Sequence, residues 1–347
     1  MPHVLIVDDV HSCLIEGLQD NGFLVHYEPD IRSEDIVSFI NAKNIEGLVV
    51  RSKCFIGEVF LKSISSLKWI ARAGAGMDNI DEKSATEKDI ILLNAGNANS
   101  NAVAEHTLGM IIVACRNLTK SHNEVIQGIW EREGNRGVEI SGKKIGIIGF
   151  GNIGSLLAQK LSVLGMQVFA FDKYKKNFGY AGVKEVDLPT LMEEVEILSL
   201  HVPLTIETTN MINDEFIERM KNPFLLINTA RGPVVNYESV LNGLNSGKVT
   251  GLLSDVFEVE PPTKGTEKQT KLFQDLCHKR NVMFSPHVAG WTVESYRRIS
   301  EVLLFKILKL YKLDITVTNF QFLYIKMSDF PSKIKLVNLS FFDKLAD

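Results

Sequence analysis

The chain has 347 residues with a formal net charge of −4, 45% hydrophobic and 23% charged residues, acids and bases being interspersed. That length suits about two ordinary domains, and no apolar stretch approaches the roughly 20 residues of a membrane span. A balanced, slightly acidic surface argues against nucleic acid and membrane as partners. Cys13, Cys54, Cys115 and Cys277 lie far apart without the paired spacings of zinc sites, so reduced thiols and no metal site are expected. The start, Met-Pro-His-Val-Leu-Ile-Val, lacks a basic segment and runs straight into a strand pattern, which points to the cytoplasm.

Short apolar runs at residues 4–7, 23–27, 47–50, 69–71 and 90–93 alternate with helix-length segments. Five such strands imply a parallel sheet with helices on both faces. The acidic pair Asp8-Asp9 after the first run resembles a phosphoacceptor domain, but that reading needs an Asp after the third run, where Arg51 stands. Arg51, Ser52 and Lys53 end that third strand and offer two cations to a distal anion of a substrate. The turn-rich residues 94–101 mark a domain crossing. A helix over 102–118 should follow, apolar nearly all round and so buried against its own domain and a partner subunit. His106 on that helix is assigned to packing. Residues 121–138, with Trp130 among charges, read as a surface arm.

The most informative stretch is next. Lys144 to Ile148 is a short apolar strand, and Gly149, Gly151 and Gly154 form a G-x-G-x-x-G turn. Helical periodicity over 155–164 leads to a second strand over 167–171, which ends on Asp172. Gly149 permits the tight turn, Gly151 lets backbone approach a pyrophosphate, and Gly154 lets helix and strand pack closely. The N–H groups of Asn152, Ile153 and Gly154 then face the anion at the helix N-terminus. Asp172 suits the adenosine ribose hydroxyls and repels a 2′-phosphate, which favours NAD over NADP. Lys173, Lys175 and Lys176 work against that preference.

Further strands are read at 197–201, 224–228, 251–255 and 282–285, giving six in this second domain. A helix over 294–311 should return the chain to the first domain. The remainder, 312–347, is strand-like around 315–327 and carries no readable chemistry. The fold class is therefore α/β, with two doubly wound parallel-sheet domains: a flavodoxin-like domain of residues 1–98 plus 292–347, and a Rossmann NAD-binding domain of residues 99–291.

Just past the later strands stand Arg231 in Asn-Thr-Ala-Arg-Gly, Glu260 in Asp-Val-Phe-Glu-Val-Glu-Pro, and His287 in Pro-His-Val-Ala-Gly-Trp. Reduction of a 2-oxo acid needs a hydride donor, a proton donor to the carbonyl oxygen and a cation for the carboxylate. His287 can be the acid and base in such a reaction, with Glu260 as its neighbouring carboxylate. Arg231 is the carboxylate clamp.

Together these motifs resemble the D-isomer-specific 2-hydroxyacid dehydrogenases over roughly residues 4–311, and most of all the phosphoglycerate dehydrogenase branch without a regulatory domain. The resemblance implies that the first domain binds substrate. There, residues 72–79, with Ala75 and Gly76, are similar to the family's substrate loop, whose small residues expose backbone N–H groups to a carboxylate. It implies cofactor contacts by His201, Val202, Pro203, Thr229 and Ala230, and by Asp255 to the nicotinamide carboxamide. It further implies an NAD-dependent oxidoreductase on a small-molecule D-2-hydroxy acid, 3-phosphoglycerate first, with glyoxylate, hydroxypyruvate or D-lactate chemistry as alternatives. A homodimer is expected. A non-catalytic NADH-sensing scaffold of corepressor type is the competing class.

Overall fold

The computed structural model describes residues 1–313, so the strand-like pattern at 315–327 lies outside the described residues. Two compact units form: Met1–Asn99 with the described residues from Trp291 onward, and Ser100–Gly290.

The first unit carries β1 (His3–Ile6), β2 (Leu24–Tyr27), β3 (Gly47–Val50), β4 (Trp69–Arg72) and β5 (Ile91–Asn94), all parallel in the order β2-β1-β3-β4-β5. Alternation along β1 divides the core. Val4 and Ile6 face a cluster with Leu14, Leu18, Leu303 and Ile307, whereas Leu5 and Val7 face Ile36, Ile40 and Leu61. The last described helix, Val293–Leu310, thus completes the first sheet's core. Its Leu304 seats against Gly17, where any Cβ would lie 2.2 Å from a leucine methyl. Just beyond the helix, Tyr311 accepts a hydrogen bond from the indole of Trp69 at 3.0 Å.

The second unit carries β6 (Lys144–Ile148), β7 (Gln167–Phe171), β8 (Val183–Glu185), β9 (Ile197–Leu200), β10 (Phe224–Asn228), β11 (Val249–Ser254) and β12 (Val282–Phe284). Their order is β12-β11-β10-β9-β6-β7-β8, again all parallel. Seven strands stand where six were expected. The one missed, β8, has three residues of which only Val183 is buried, so it presents no apolar run and is defined by its pairing with β7.

Helix Asn152–Val163 buries Gly154, Leu157, Ala158 and Leu161, an i, i+3, i+4, i+7 stripe against Ile145, Ile147 and Val168. Each fully buried leucine contributes about 1.5–3 kcal/mol. The crossing helix Ser100–Cys115 packs on the same face through Ala104, Met110 and Ile111. It stops three residues short of the expected end. Asn117 takes a left-handed conformation (φ 53°), which asparagine tolerates, and a second helix, Leu118–Ile126, opens the arm. Among the described residues, no helix is long and apolar enough to cross a membrane.

Candidate active site

The β6 turn sorts its three glycines by geometry. Gly149 has φ +96°, and a Cβ there would lie 2.4 Å from the His201 carbonyl oxygen. At Gly154 a Cβ would lie 2.1 Å from the Gly149 carbonyl oxygen. Gly151 differs, since a Cβ on it meets nothing within 4 Å. The turn is closed on two sides and open on the third, at the start of a helix whose first N–H groups receive no side-chain cap. An open cradle bordered by the uncapped N–H groups of Asn152, Ile153 and Gly154 fits an anion such as a pyrophosphate.

Asp172, just past β7, accepts hydrogen bonds from Phe150 N–H (2.8 Å) on one oxygen and from Tyr174 and Lys175 N–H (2.9 Å each) on the other. Burial raises its pKa, but these three bonds and the Lys175 charge outweigh it and hold the carboxyl below the usual range. Three of about four acceptor sites are filled, so one remains for a sugar hydroxyl. Two of the nearby lysines are engaged elsewhere. Lys173 pairs with Glu207 at 2.8 Å, and the Lys175 ammonium donates to the Phe150 carbonyl at 2.8 Å.

His201, past β9, shares a hydrogen bond between Nε2 and the Ser199 hydroxyl (2.8 Å), while its buried Nδ1 has no partner among the described residues. Burial lowers its pKa to about 4, so the ring is neutral. Val202 stands beside the Gly149 turn, and the Pro203 carbonyl accepts from the Thr208 hydroxyl at 2.7 Å. Past β10, Thr229 shares a hydroxyl hydrogen bond with Thr107 (3.1 Å), and Ala230 N–H donates to the Asn228 side chain at 3.1 Å. From β7 to β10 the residues read as cofactor-binding line the carboxyl ends of four adjacent strands, a span of about 14 Å.

Arg231, Glu260 and His287 follow β10, β11 and β12, three neighbours paired in register at Asn228, Ser254 and Phe284. His287 Nδ1 lies 2.6 Å from Glu260 Oε2. The other carboxylate oxygen accepts from Phe257 N–H at 3.0 Å. Burial raises the Glu260 pKa, but His287, the Phe257 N–H and the Arg231 charge together pull the carboxyl below its usual range. An ionised Glu260 makes Nδ1 the protonated nitrogen, leaving Nε2 as the atom that can give and take a proton.

The loop carrying His287 is held from behind. His287 has φ 55°, rare for a residue other than glycine, and its N–H donates to the Asp255 carbonyl at 2.8 Å. The buried Asp255 carboxylate accepts from the Ser285 hydroxyl (2.5 Å) and from Val288 N–H (2.9 Å) on one oxygen and from Ala289 N–H (2.8 Å) on the other. Asp255, read as a cofactor contact, is in the structure the clamp of the histidine loop. His106, read as packing, hydrogen-bonds Ser285 through Nε2 at 3.0 Å. No sequence spacing could have revealed that contact, because 179 residues separate the pair.

In the first unit, Asp8 accepts from the Arg51 N–H at 2.6 Å and the Lys53 N–H at 3.3 Å. Arg51 stacks its guanidinium on Trp291, 3.5 Å from the ring centroid. Ser52 lies between them in the turn after β3. Lys53 was read as an anion-binding cation, but its ammonium donates to the carbonyls of Pro29 and Ile31. Those acceptors, more than twenty residues upstream, were invisible to local reading. The Ala75 carbonyl accepts from Asn94 at 3.1 Å, while the N–H groups of Ala75 and Gly76 bond to no protein acceptor among the described residues.

The chain is similar to known proteins over most of its length. The profile of the D-isomer specific 2-hydroxyacid dehydrogenase NAD-binding domain matches residues 108–289. The chain is 39% identical to a hydroxypyruvate reductase of Thermotoga maritima over 265 residues, which are 76% of this chain and 84% of that one. It is 31% identical to a D-3-phosphoglycerate dehydrogenase of Archaeoglobus fulgidus, aligning 86% of this chain with 55% of that longer one. A D-lactate dehydrogenase structure from Aquifex aeolicus, complexed with NAD and lactic acid, superimposes with TM-score 0.78 at 28% identity, covering 89% of this chain and 95% of that one. The chain belongs to the D-isomer specific 2-hydroxyacid dehydrogenase family, and residues 108–289 are its NAD-binding domain.

Proposed function

We propose that the protein interconverts a small 2-oxo acid and its D-2-hydroxy acid with NAD(H), and that His287 is the proton donor and acceptor. The observation that carries this reading is the 2.6 Å contact between His287 Nδ1 and Glu260, which fixes the tautomer and leaves Nε2 for the substrate oxygen. Bound NADH supplies the hydride to the carbonyl carbon. His287 Nε2–H gives its proton to the carbonyl oxygen as that carbon gains the hydride, and in oxidation the neutral ring takes the hydroxyl proton back. Arg231 pairs with the substrate carboxylate through its planar fork. Glu260 balances the charge of the imidazolium. Gly149, Gly151, Gly154, Asp172, His201 to Pro203, Thr229 and Ala230 would hold the dinucleotide, and Asp172 with the engaged Lys173 and Lys175 supports NAD over NADP.

For the substrate, a three-carbon acid with oxygen on C3 fits best. Hydroxypyruvate is the leading reading, because Lys53 spends its ammonium on Pro29 and Ile31 and leaves Arg51 as the cation at the end of β3. The relative from Thermotoga maritima supports it. The second reading, 3-phosphohydroxypyruvate, rests on the stacked Arg51 guanidinium and on the phosphoglycerate dehydrogenase relatives. The test is loss of NADH absorbance with hydroxypyruvate, 3-phosphohydroxypyruvate, glyoxylate, pyruvate and 2-oxoglutarate, with NADPH as control. Preference for the phosphorylated acid reverses the order of the two readings. Tight NADH binding with no turnover on any acid replaces the enzyme with a nucleotide-sensing scaffold.

The four cysteines are unpaired, which supports a reducing compartment, the cytoplasm. A homodimer is supported by the arm, where Ile126 (68% exposed) and Trp130 (81%) present apolar surface together with Val125 and Val138.

A further inference from the structure

Two consecutive residues of helix Ser100–Cys115 reach the two loops on which the proposed chemistry depends. His106 bonds Ser285, two residues before His287, and Thr107 bonds Thr229, two residues before Arg231. We propose that His106 and Thr107 are positioning residues, a brace that sets the separation of the proton donor and the carboxylate clamp. This inference rests on the roles given above to His287 and Arg231.

The hydrogens can be assigned. The Ser285 hydroxyl spends its single hydrogen on the Asp255 carboxylate at 2.5 Å, so His106 Nε2 must be the donor to Ser285 Oγ. Thr107 spends its hydrogen on the Val103 carbonyl at 2.7 Å, so Thr229 must donate to Thr107. Both links are therefore directional, and each has a conservative replacement. His106→Gln keeps an N–H donor in the place of Nε2, and Thr107→Ser keeps the accepting hydroxyl. His106→Ala and Thr107→Val remove them.

The His106 link ends on a stiff element. Ser285 and the N–H groups of Val288 and Ala289 share the Asp255 carboxylate, whose own carbonyl holds His287 in its left-handed conformation. Moving Ser285 therefore moves the imidazole relative to Glu260. The Thr107 link is buried, with Thr107 fully covered and Thr229 6% exposed, so an unmet hydroxyl there draws the Arg231 loop toward another acceptor. Misplacement of reacting groups by about 1 Å can cost about 10²-fold in rate.

The experiment compares His106→Ala, His106→Gln, Thr107→Val and Thr107→Ser with the unaltered chain, measuring kcat and KM for the accepted 2-oxo acid and the Kd of NADH. A brace predicts kcat down about 10- to 100-fold for His106→Ala and Thr107→Val, an NADH Kd within about twofold, and recovery to within about threefold in His106→Gln and Thr107→Ser. Equal losses in His106→Gln and His106→Ala, or NADH binding that falls as far as kcat, would overturn it. Should the unaltered protein turn over no 2-oxo acid, the proposed function fails, and nitrogen-15 imidazole spectra decide the brace separately. They should show the His287 Nδ1 proton fixed on Glu260 in the unaltered chain and in His106→Gln, and averaged in His106→Ala. Identical His287 signals in all three would remove the brace.

Discussion

Replacing Gly149 with alanine strains the nucleotide turn in two ways. The backbone sits at φ +96°, where an L side chain costs about 1–2 kcal/mol, and the new Cβ would stand 2.4 Å from the His201 carbonyl oxygen. Relief of such a contact against backbone typically costs about 1–3 kcal/mol. Together these give about 2–5 kcal/mol, which for a unit of this size lowers the melting midpoint by about 4–20 °C. Gly154→Ala carries only the steric part, about 1–3 kcal/mol, from its 2.1 Å approach to the Gly149 oxygen. Gly151→Ala is the discriminating control. Its methyl meets nothing within 4 Å, so stability should stay within about 0.5 kcal/mol while NADH affinity drops about tenfold or more, because the methyl occupies the cradle's open side. Thermal melts and NADH fluorescence titrations on the three variants read both quantities. A Gly151→Ala protein that binds NADH like the unaltered chain, or that melts as low as Gly149→Ala, would refute the assignment of the pyrophosphate to this turn.

His287→Ala should lower kcat by about 10²- to 10⁴-fold with the NADH Kd unchanged, measured by steady-state kinetics and titration. Glu260→Gln replaces a charge-assisted bond by a neutral one, and because both side chains are partly exposed a loss of about tenfold in kcat is expected rather than the larger loss of a buried pair. Because the folded-state pKa of Glu260 is depressed, its contribution to stability is complete above about pH 4.3 and disappears as the pH falls through the lower folded value. Acid melts of Glu260→Gln should lack that component. The proposed homodimer predicts twice the chain mass by light scattering and half that value for Trp130→Ser; a monomeric unaltered chain would refute the dimer, and a variant of unchanged dimer mass would exclude the arm from the interface.

The nucleotide turn was legible because each glycine leaves its mark within a strand, turn and helix of contiguous chain. That Arg231, Glu260 and His287 gather at one edge followed from strand order, since residues after neighbouring parallel strands emerge together, while the roles proposed for them came from the family motifs. Most of what escaped was set by contacts between segments apart in sequence, and one feature by a local conformation that its residue type only permits. β8 exists through its pairing with β7. The helix break depends on one left-handed asparagine, whose residue type permits a turn without requiring it. Lys53 resembled a free cation until Pro29 and Ile31 supplied carbonyls, and His106 resembled core until Ser285 arrived from the far end of the unit.

The helix Val293–Leu310 that fills the first sheet's core is encoded nearly two hundred residues after the last strand of that sheet. A ribosome adding about 5–20 residues per second therefore exposes Leu14, Leu18 and the indole of Trp69 without their cover for about 10–40 s while residues 100–290 are made. The inserted unit can finish folding first, and the earliest-made part of the protein is the last to become native. Mutations that weaken the apolar seam of Leu303, Leu304, Ile307 and Leu308 should thus appear in the cell as losses of yield to chaperones and proteases before any change in the rate of the purified enzyme.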